Sequence, residues 1–233
     1  MINIAVFDIS GPYGHFRKAY APLSPVTYPC PTPTAVCGMV GAILGFGKDE
    51  YIERINRNDF AIGVRILNPV RKFRAAVNLI KAERRSPGDF ISTDIHDQIP
   101  YEFLKEPAFR IFFSHGDASL MERLCSMLGS GRTAYTPVLG LAGCIASTSF
   151  VGCFRADIER SGLEVPVCTW VSAQARVRYD LGRRYQRFRM PSRMLPDRTV
   201  IRFDEVVVAE DSAPIHVVGA DVVKVEDNWV CLL

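Results

Sequence analysis

The chain has 233 residues, of which 48% are hydrophobic and 23% charged, which excludes a disordered protein and suits one large or two small domains. Its length excludes a disulfide-stapled miniprotein, and no apolar run is long enough to cross a bilayer. The formal net charge is only +3, but 22 of the 28 basic residues are arginines, so almost all the positive charge is guanidinium.

The first predicted element is a buried strand, because residues 2–9 form a short apolar run closed by a Ser-Gly-Pro turn. Six prolines between residues 11 and 33 then predict a loop. The opening segment has neither the basic start nor the cleavage site of a signal peptide, so we expect a cytoplasmic protein.

A glycine-rich helix is predicted next. Thr34 is its expected N-cap, and the helix runs to about Phe46. Gly38, Gly41 and Gly45 fall in one stripe, although each glycine weakens a helix by about 1 kcal/mol relative to alanine. The stripe therefore predicts the close approach of another backbone, from a strand or a nucleic acid, or tight packing of helix on sheet.

The middle of the chain predicts strands around an insertion. Phe60–Leu67 and Lys72–Ile80 are expected strands, and the polar stretch 81–106 is expected to be an inserted hairpin. Alternating apolar residues predict another strand at 109–113, and Asp117 is expected to start a helix that Gly129 ends. Ser149–Phe154 is the strand that follows.

This order of elements predicts an α+β fold. Strand, helix, two strands, helix and strand make the ferredoxin-like (RRM-like) βαββαβ unit, with a thumb hairpin inserted at about 81–106. We assign residues 1–154 to this domain and 155–233 to a smaller β-rich C-terminal part. The expected C-terminal strands are Val165–Ala173, Thr199–Val208, Ile215–Val218 and Asp221–Val225.

The charge is unevenly distributed. Residues 176–202 contain nine arginines and two aspartates, a local charge of +7, whereas residues 203–233 contain seven acids and one lysine, a local charge of −6. Tyr179, Tyr185 and Phe188 are interleaved with the arginines. Guanidinium groups grip phosphate and ring faces stack on bases, so the block predicts a nucleic-acid surface. The alternative is a solvated strand pair whose arginines pair with the acidic tail.

The cysteines and histidines indicate neither a metal nor a cofactor. Seven cysteines without a CxxC pair favour reduced, mostly buried thiols. The four histidines form no HxH, HxxxH or HExxH pattern, and Gly45-Phe-Gly-Lys48 lacks the spacing and hydroxyl residue of a P-loop. Acid–base cleavage of RNA remains open, because it needs only residues brought together in space.

The loop and the glycine helix together resemble a known family. The segments GPYGHFRKAY and SPVTYPCPTPTAVCGMVGAILGF are similar to those of the CRISPR-associated Cas-five family of the RAMP superfamily, and three later stretches agree over the rest of the chain. The resemblance is carried by Gly11, His15, Phe16, Arg17, Tyr28, Pro29, Thr34, Gly38, Gly41 and Gly45, and later by Pro107–Ile111, Tyr135–Gly140 with Cys144, and Met190-Pro191 with Pro196–Arg198.

The resemblance implies a subunit of a type I Cascade complex, most similar to the type I-B branch, that holds the 5′ handle of the CRISPR RNA (crRNA). Its implied neighbours are Cas-seven backbone subunits and the large Cas-eight subunit, with target DNA nearby, and no membrane. In the type I-C branch the corresponding protein cuts the repeat RNA with Tyr, Lys and an adjacent His. No Lys-His dipeptide occurs in this chain, which counts against a nuclease.

We expect RNA to be held by phosphate pairing and stacking. Three hypotheses remain at this point: a non-catalytic RNA-binding subunit, a metal-independent ribonuclease that depends on His15, His96 or His115, and a scaffold without RNA contacts. The candidate RNA-binding residues are His15, Arg17, Lys18, Tyr28, Arg84, Arg85, Arg132, Tyr135, Gly140, Arg183, Arg184, Arg187, Arg189 and Arg193, with core packing as the alternative for the two tyrosines.

Overall fold

The computed structural model describes residues 1–18, 20, 24–56, 60–80, 96–160 and 162–233. In these ranges the chain is a mixed α+β protein dominated by sheets, as the sequence predicts at the level of fold class. Within the same ranges no helix has the length and apolar character that crossing a membrane requires.

The helices are α1 (Pro33–Leu44) and α2 (Ala118–Gly129), and a π-helical turn covers Ile52–Asn56. The strands are β1 (Ile2–Ser10), β2 (Tyr13–Gly14), β3 (Phe60–Ile66), β4 (Lys72–Ile80), β5 (His96–Lys105), β6 (Ala108–His115), β7 (Ser147–Ala156), β8 (Ile158–Arg160), β9 (Val165–Val167), β10 (Val171–Ser172), β11 (Arg176–Arg178), β12 (Tyr185–Met194), β13 (Val200–Ala209), β14 (Ile215–Val218), β15 (Asp221–Val225) and β16 (Asn228–Val230).

A four-stranded sheet forms the centre of the N-terminal half. Its order is β3-β6-β1-β7, and every pair in it is antiparallel. The inner residues of β1, such as Phe7 and Ile9, share a buried core with Val40 of α1 and Leu124 of α2. Both helices therefore cover the same face of this sheet.

Helix α1 begins two residues earlier than predicted. The Thr32 hydroxyl accepts a hydrogen bond from the backbone N–H of Ala35 at 3.2 Å, so Thr32 and not Thr34 is the N-cap. Pro33 fits the first helical position because no intrahelical partner exists there for its missing N–H. For α2, the predicted cap is confirmed, since the Asp117 carboxylate accepts from the N–H groups of Ser119 and Leu120 at 2.8 and 3.2 Å.

The glycine stripe of α1 makes room for a ring from its own chain. A Cβ on Gly41 would lie 2.7 Å from the Cβ of Tyr51, and Gly38 faces the same ring at 4.0 Å. Gly45 ends the helix with φ of +81°. The close neighbour is thus a tyrosine on the segment after the helix, and not the strand or nucleic acid that the stripe suggested.

The C-terminal half forms two further sheets, with orders β11-β14-β9-β16-β15-β8 and β10-β13-β12. The middle of the arginine block forms β12, a ten-residue strand paired with β13, as the strand-pair alternative predicts, although no bounds were predicted for this strand. Its charge concealed the alternation, in which Phe188 and Met190 face inward while Arg187 and Arg189 are exposed. The predicted strand Val165–Ala173 is divided into β9 and β10.

Strands β4 and β5 pair in register from Lys72 with Leu104 to Ile80 with His96. Strand β5 therefore lies in the C-terminal part of the predicted insertion 81–106. Residues 81–95, which include the candidates Arg84 and Arg85, lie outside the described residues.

A disulfide joins Cys125 of α2 to Cys153 of β7. The expectation of reduced thiols is wrong for this pair, because the packing of α2 on β7 brings their Cα atoms within 6.6 Å. The other five cysteines are free, and Cys168 is the single one of them that is not fully buried.

Candidate nucleic-acid interface

An open groove of about 810 Å³ lies between the loop that follows β1 and the strand pair β12–β13. The loop and β4 supply two lysines and two tyrosines, and the strand pair supplies aromatic and basic side chains. The lining residues are Lys18, Tyr20, Tyr28, Lys72, Tyr185, Gln186, Arg187, Phe188, Arg189 and Phe203. We call the surface formed by these ten residues the groove.

The loop after β1 is pinned by backbone hydrogen bonds to the segment that precedes α1. Tyr28 N–H donates to the Phe16 carbonyl at 2.8 Å, and Lys18 N–H donates to the Val26 carbonyl at 3.0 Å. Phe16 N–H donates to the Thr27 hydroxyl at 2.9 Å. These bonds bury Phe16 and leave the side chain of Lys18 at the rim of the groove.

His15 is a structural residue and not the predicted phosphate contact. Its side chain is 1% exposed and packs against the rings of Tyr101 and Phe103, with centroids 5.3 and 5.8 Å away. Its Nδ1 lies 2.8 Å from the carbonyl oxygen of Glu102, which fixes Nδ1 as the donor. Burial lowers the pKa of His15 from its ordinary value. A neutral, enclosed imidazole cannot pair with phosphate.

Tyr28 also takes its structural alternative. The side chain is 3% exposed, its hydroxyl donates to the Arg189 carbonyl at 2.9 Å, and its ring packs against Phe188 at 5.3 Å. Burial raises the pKa of Tyr28. This phenol tethers the loop to β12, so the role of an open stacking face is corrected.

The open ring faces of the groove belong to residues that the sequence analysis did not select. Tyr20 is 72% exposed, with the Lys18 Nζ 5.8 Å from its centroid, and Phe203 is 40% exposed, with the Arg189 guanidinium 4.6 Å above its ring. An aromatic residue near a basic one is the signal that identifies Tyr20. Lys72 begins an ordinary strand, and nothing in the sequence marks it.

Each of the four cations that line the groove has a partner, and that of Arg189 is the Phe203 ring. Arg187 donates from Nε and Nη2 to the two carboxylate oxygens of Glu205, at 2.8 and 2.9 Å. Lys72 Nζ donates to a Glu102 carboxylate oxygen and to the Thr27 carbonyl, both at 3.1 Å. Lys18 Nζ lies 5.4 Å from the Tyr28 centroid. The groove therefore combines phosphate-binding groups with ring faces.

Two of the predicted arginines, Arg183 and Arg193, are held by hydrogen bonds within the chain and do not line the groove. Arg183 makes five hydrogen bonds within the described chain, to Asp211, Asp180 and the carbonyls of residues 213 and 214. Arg193 donates to the Phe60 carbonyl at 2.9 Å and lies 3.3 Å from the centroid of that ring. The pairing of Arg183 with Asp211 agrees with the alternative in which the arginines pair with the acidic tail, whereas Arg193 is held by Phe60.

None of the other described candidates lines the groove, and Arg17 is exposed on the loop next to Lys18. Arg184, Arg132 and Tyr135 are also exposed. Gly140 has φ of +93°, and a Cβ there would collide with the carbonyl oxygen of His15. Contact with the chain's own backbone therefore accounts for this glycine, which was predicted to admit RNA.

His15 and His115 are not assembled into one site. Gly11 N–H donates to the Pro107 carbonyl, so His15 lies near the start of β6, whereas His115 ends that strand, a separation of about 20 Å at the rise of a strand. His115 Nδ1 accepts from Asp117 N–H at 3.0 Å. In the described ranges no three His, Cys, Asp or Glu side chains are grouped as a metal ion would need.

The other face of the four-stranded sheet is closed. Ile4, Val6 and Phe112 on that face form one buried cluster with Val223 and Val230 of the C-terminal sheet. RRM domains stack bases on the corresponding kind of open sheet surface. Here that surface is buried against the C-terminal sheet, whereas the groove is open and combines basic with aromatic side chains.

Comparison with known proteins agrees with this architecture. A family model described as "CRISPR-associated protein (Cas_Cas5)" matches residues 4–206. A crystal structure of a CRISPR protein from Archaeoglobus fulgidus has a similar fold, with a TM-score of 0.54 and 16% identity over 99% of this chain and 98% of that one. A chain of a CRISPR RNA-guided surveillance complex gives 0.56 and 12% over 91% of each chain. No curated protein matches the chain by sequence.

Proposed function

Because the chain belongs to the CRISPR-associated Cas-five family, we propose that it is a non-catalytic, RNA-binding subunit of a type I Cascade complex. In this proposal it grips the 5′ handle of the crRNA and contributes to antiviral defence. Its partners are the Cas-seven backbone, the Cas-eight large subunit and, nearby, target DNA. A similar fold within an RNA-guided surveillance complex supports this assignment.

The groove is the single observation that carries the proposal. Its volume is in the range of ligand-binding clefts, and it is lined by cations on both walls with ring faces between them. Single-stranded RNA is bound by this combination, because phosphates pair with Lys and Arg while splayed bases stack on aromatic or guanidinium planes. A subunit that holds the constant end of a guide RNA does not need to recognise the target sequence, because base pairing by the guide does so.

We also propose that residues 1–154 form a ferredoxin-like unit and 155–233 a β-rich C-terminal part. The antiparallel order β3-β6-β1-β7, with both helices on one face, supports the first assignment. The separate sheets of the strands after β7 support the second. An experimental structure superposed on ferredoxin-like proteins tests both assignments.

The non-catalytic assignment is supported by the state of the histidines. His15 is enclosed and neutral, and the bonded position of His115 at the far end of β6 keeps the two from acting together. A labelled repeat RNA incubated with the protein in EDTA is expected to stay intact. Cleavage at one position, lost on replacing a histidine, would favour the metal-independent ribonuclease.

Charge reversal on both walls tests the groove. The variant Lys18→Glu/Arg189→Glu is expected to bind handle-bearing RNA about 100-fold more weakly, because two phosphate contacts become repulsive. Fluorescence anisotropy at fixed salt measures this. The control Arg155→Glu/Arg160→Glu has the same change in net charge on exposed residues of β7 and β8. Equal losses in both variants would mean that net charge, and not the groove, binds RNA.

A further inference from the structure

The Glu205 carboxylate lies beside the groove and is bonded to Arg187, one of the cations that line it. Glu205 on β13 is directly opposite Arg189 in the β12–β13 register, and its oxygens accept both bonds from Arg187. Hydrogen bonding to Arg187, aided by the charges of Arg187 and Arg189, keeps the pKa of Glu205 below its ordinary value. The carboxylate is therefore an anion at neutral pH, and it is bonded to a guanidinium that borders the groove.

The Arg187–Glu205 pair has the two-pronged geometry with which arginine binds a phosphate. Two parallel N–H···O bonds of 2.8 and 2.9 Å occupy the same edge of the guanidinium that two phosphate oxygens would take. The side chains are 60% and 48% exposed, so water and ligands reach the pair. Exposed ion pairs are weak, and exchange of one anion for another costs little.

Arg183 shows what a permanent pair looks like in the same strand region. Its side chain is only 18% exposed, and the Asp211 carboxylate is one of several acceptors around it. Release of Arg183 would break five bonds, whereas release of Arg187 from Glu205 breaks two. The Arg187 pair is thus the exchangeable one.

We propose that Glu205 is an internal competitor for the RNA phosphate, holding the Arg187 guanidinium in the free protein and yielding it when RNA enters the groove. This inference rests on the proposed function. The competitor weakens binding to any RNA, so an RNA that makes few other contacts is bound least. It also keeps Arg187 oriented toward the groove while no RNA is present.

The variant Glu205→Gln tests the proposal. Removal of the competing charge is expected to tighten binding of handle-bearing RNA about three- to tenfold. In the wild-type protein the RNA phosphate displaces Glu205 from Arg187. The released carboxylate then binds a cation from solution, which offsets the counterion that the phosphate loses, so the number of ions released changes little. In the variant the slope of log affinity against log salt is expected to steepen by about 0.7, the value for one phosphate of a single strand.

The matched control is Asp204→Asn. It has the same change in net charge on the preceding residue of β13, which is paired at 3.0 Å with Arg202, a residue outside the groove, whereas Glu205 is paired with Arg187 of the groove. Glu159→Gln, at an exposed position of β8, is a second control that replaces Asp204→Asn if that variant does not fold. Thermal melts establish that each protein is folded. Neither control is expected to change the salt slope.

The outcomes separate the inference from the function. Tighter binding and a steeper slope for Glu205→Gln alone, both lost when Arg187→Gln is added, support the competitor. If the wild-type protein binds RNA and Glu205→Gln has the same affinity and salt slope as the control variants, the competitor role of Glu205 is overturned and the proposed function is retained. Absence of RNA binding by every protein, in the presence of a positive-control RNA-binding protein, overturns both.

Discussion

The loop after β1 and strand β12 both border the groove, and each distributes its basic residues in two directions. In the loop, His15 is turned inward against the β4–β5 hairpin and Lys18 lies at the rim. In and around β12, Arg183 and Arg193 are bonded to the fold, whereas Arg187 and Arg189 face the groove. Availability of a cation thus depends on the acceptors beside it, and not on how many cations a segment contains.

The two regions differ in what fixes them. The loop is clamped by backbone contacts, since His15 N–H donates to the Leu139 carbonyl at 2.9 Å and Gly140 leaves no room for a side chain there. Strand β12 is fixed by its ladder with β13 and by ion pairs at its surface. Changes in the loop should therefore affect folding, and changes on the outer face of β12 should affect binding.

The largest expected effect is that of Gly140→Ala. The added Cβ would meet the His15 carbonyl at a position where φ is already +93°, so we expect a loss of about 3 kcal/mol in the free energy of unfolding. Urea denaturation followed by circular dichroism measures it. The loss combines a steric and a conformational cost, which two other glycines separate.

Gly131→Ala and Gly143→Ala are the controls. Gly131 has φ of +65° with no described atom within 4 Å of a Cβ, so its variant reports conformational strain alone, about 1 kcal/mol. Gly143 meets no described atom either and has no positive φ, so its variant should be close to neutral. If Gly140→Ala costs no more than Gly131→Ala, the loop is not clamped as described.

A pair of substitutions in one segment tests the second half of the comparison. Arg183→Gln should lower the free energy of unfolding by about 1–2 kcal/mol, because it breaks charge-assisted bonds to Asp211 and Asp180, and should leave RNA affinity unchanged. Arg187→Gln should leave stability unchanged and weaken RNA binding about threefold, since Glu205 already offsets part of the Arg187–phosphate attraction. If Arg183→Gln weakened RNA binding without a loss of stability, and Arg187→Gln lowered stability without weakening RNA binding, the assigned roles of the two arginines would be wrong.

The sequence predicted the N-terminal elements well because their signals are local. The apolar run of β1, the alternation around β6 and the Asp117 cap each depend on a few neighbouring residues, and all are found near the predicted positions. Thr32 was missed because Thr34 is an equally good cap by residue type. The bounds of strand β12 were not predicted, because its exposed arginines hid the period of two.

The site was predicted less completely, because a groove is assembled from distant segments. Lys72 faces the groove through the placement of β4, and its lysine is like any other in sequence. The tethers of Tyr28 and Arg193 are bonds to residues more than 130 positions away, so only the fold shows that both side chains are engaged. Local charge identified the correct segments but not the available side chains.

The smallest expected effect is the pH dependence that His15 contributes to stability. Burial lowers the folded-state pKa of this imidazole below its ordinary value of 6.5, so the unfolded chain binds the proton more readily. The contribution is fully present above pH 6.5 and is lost as the pH falls through that value toward the folded pKa. One proton changes the free energy of unfolding by at most about 1.4 kcal/mol per pH unit.

Replacement of His15 by glutamine isolates this contribution. Glutamine keeps a side-chain N–H for the Glu102 carbonyl but does not titrate, so the variant should be less stable at pH 7.5 and should lose less stability on acidification to pH 5.5. Urea midpoints of both proteins at the two pH values measure the difference. RNA affinity of the folded variant should be unchanged, because a buried neutral imidazole contributes no phosphate contact. If the pH dependence of stability were unchanged and the variant bound RNA more weakly, His15 would contact RNA, and the loop would be a binding surface like β12.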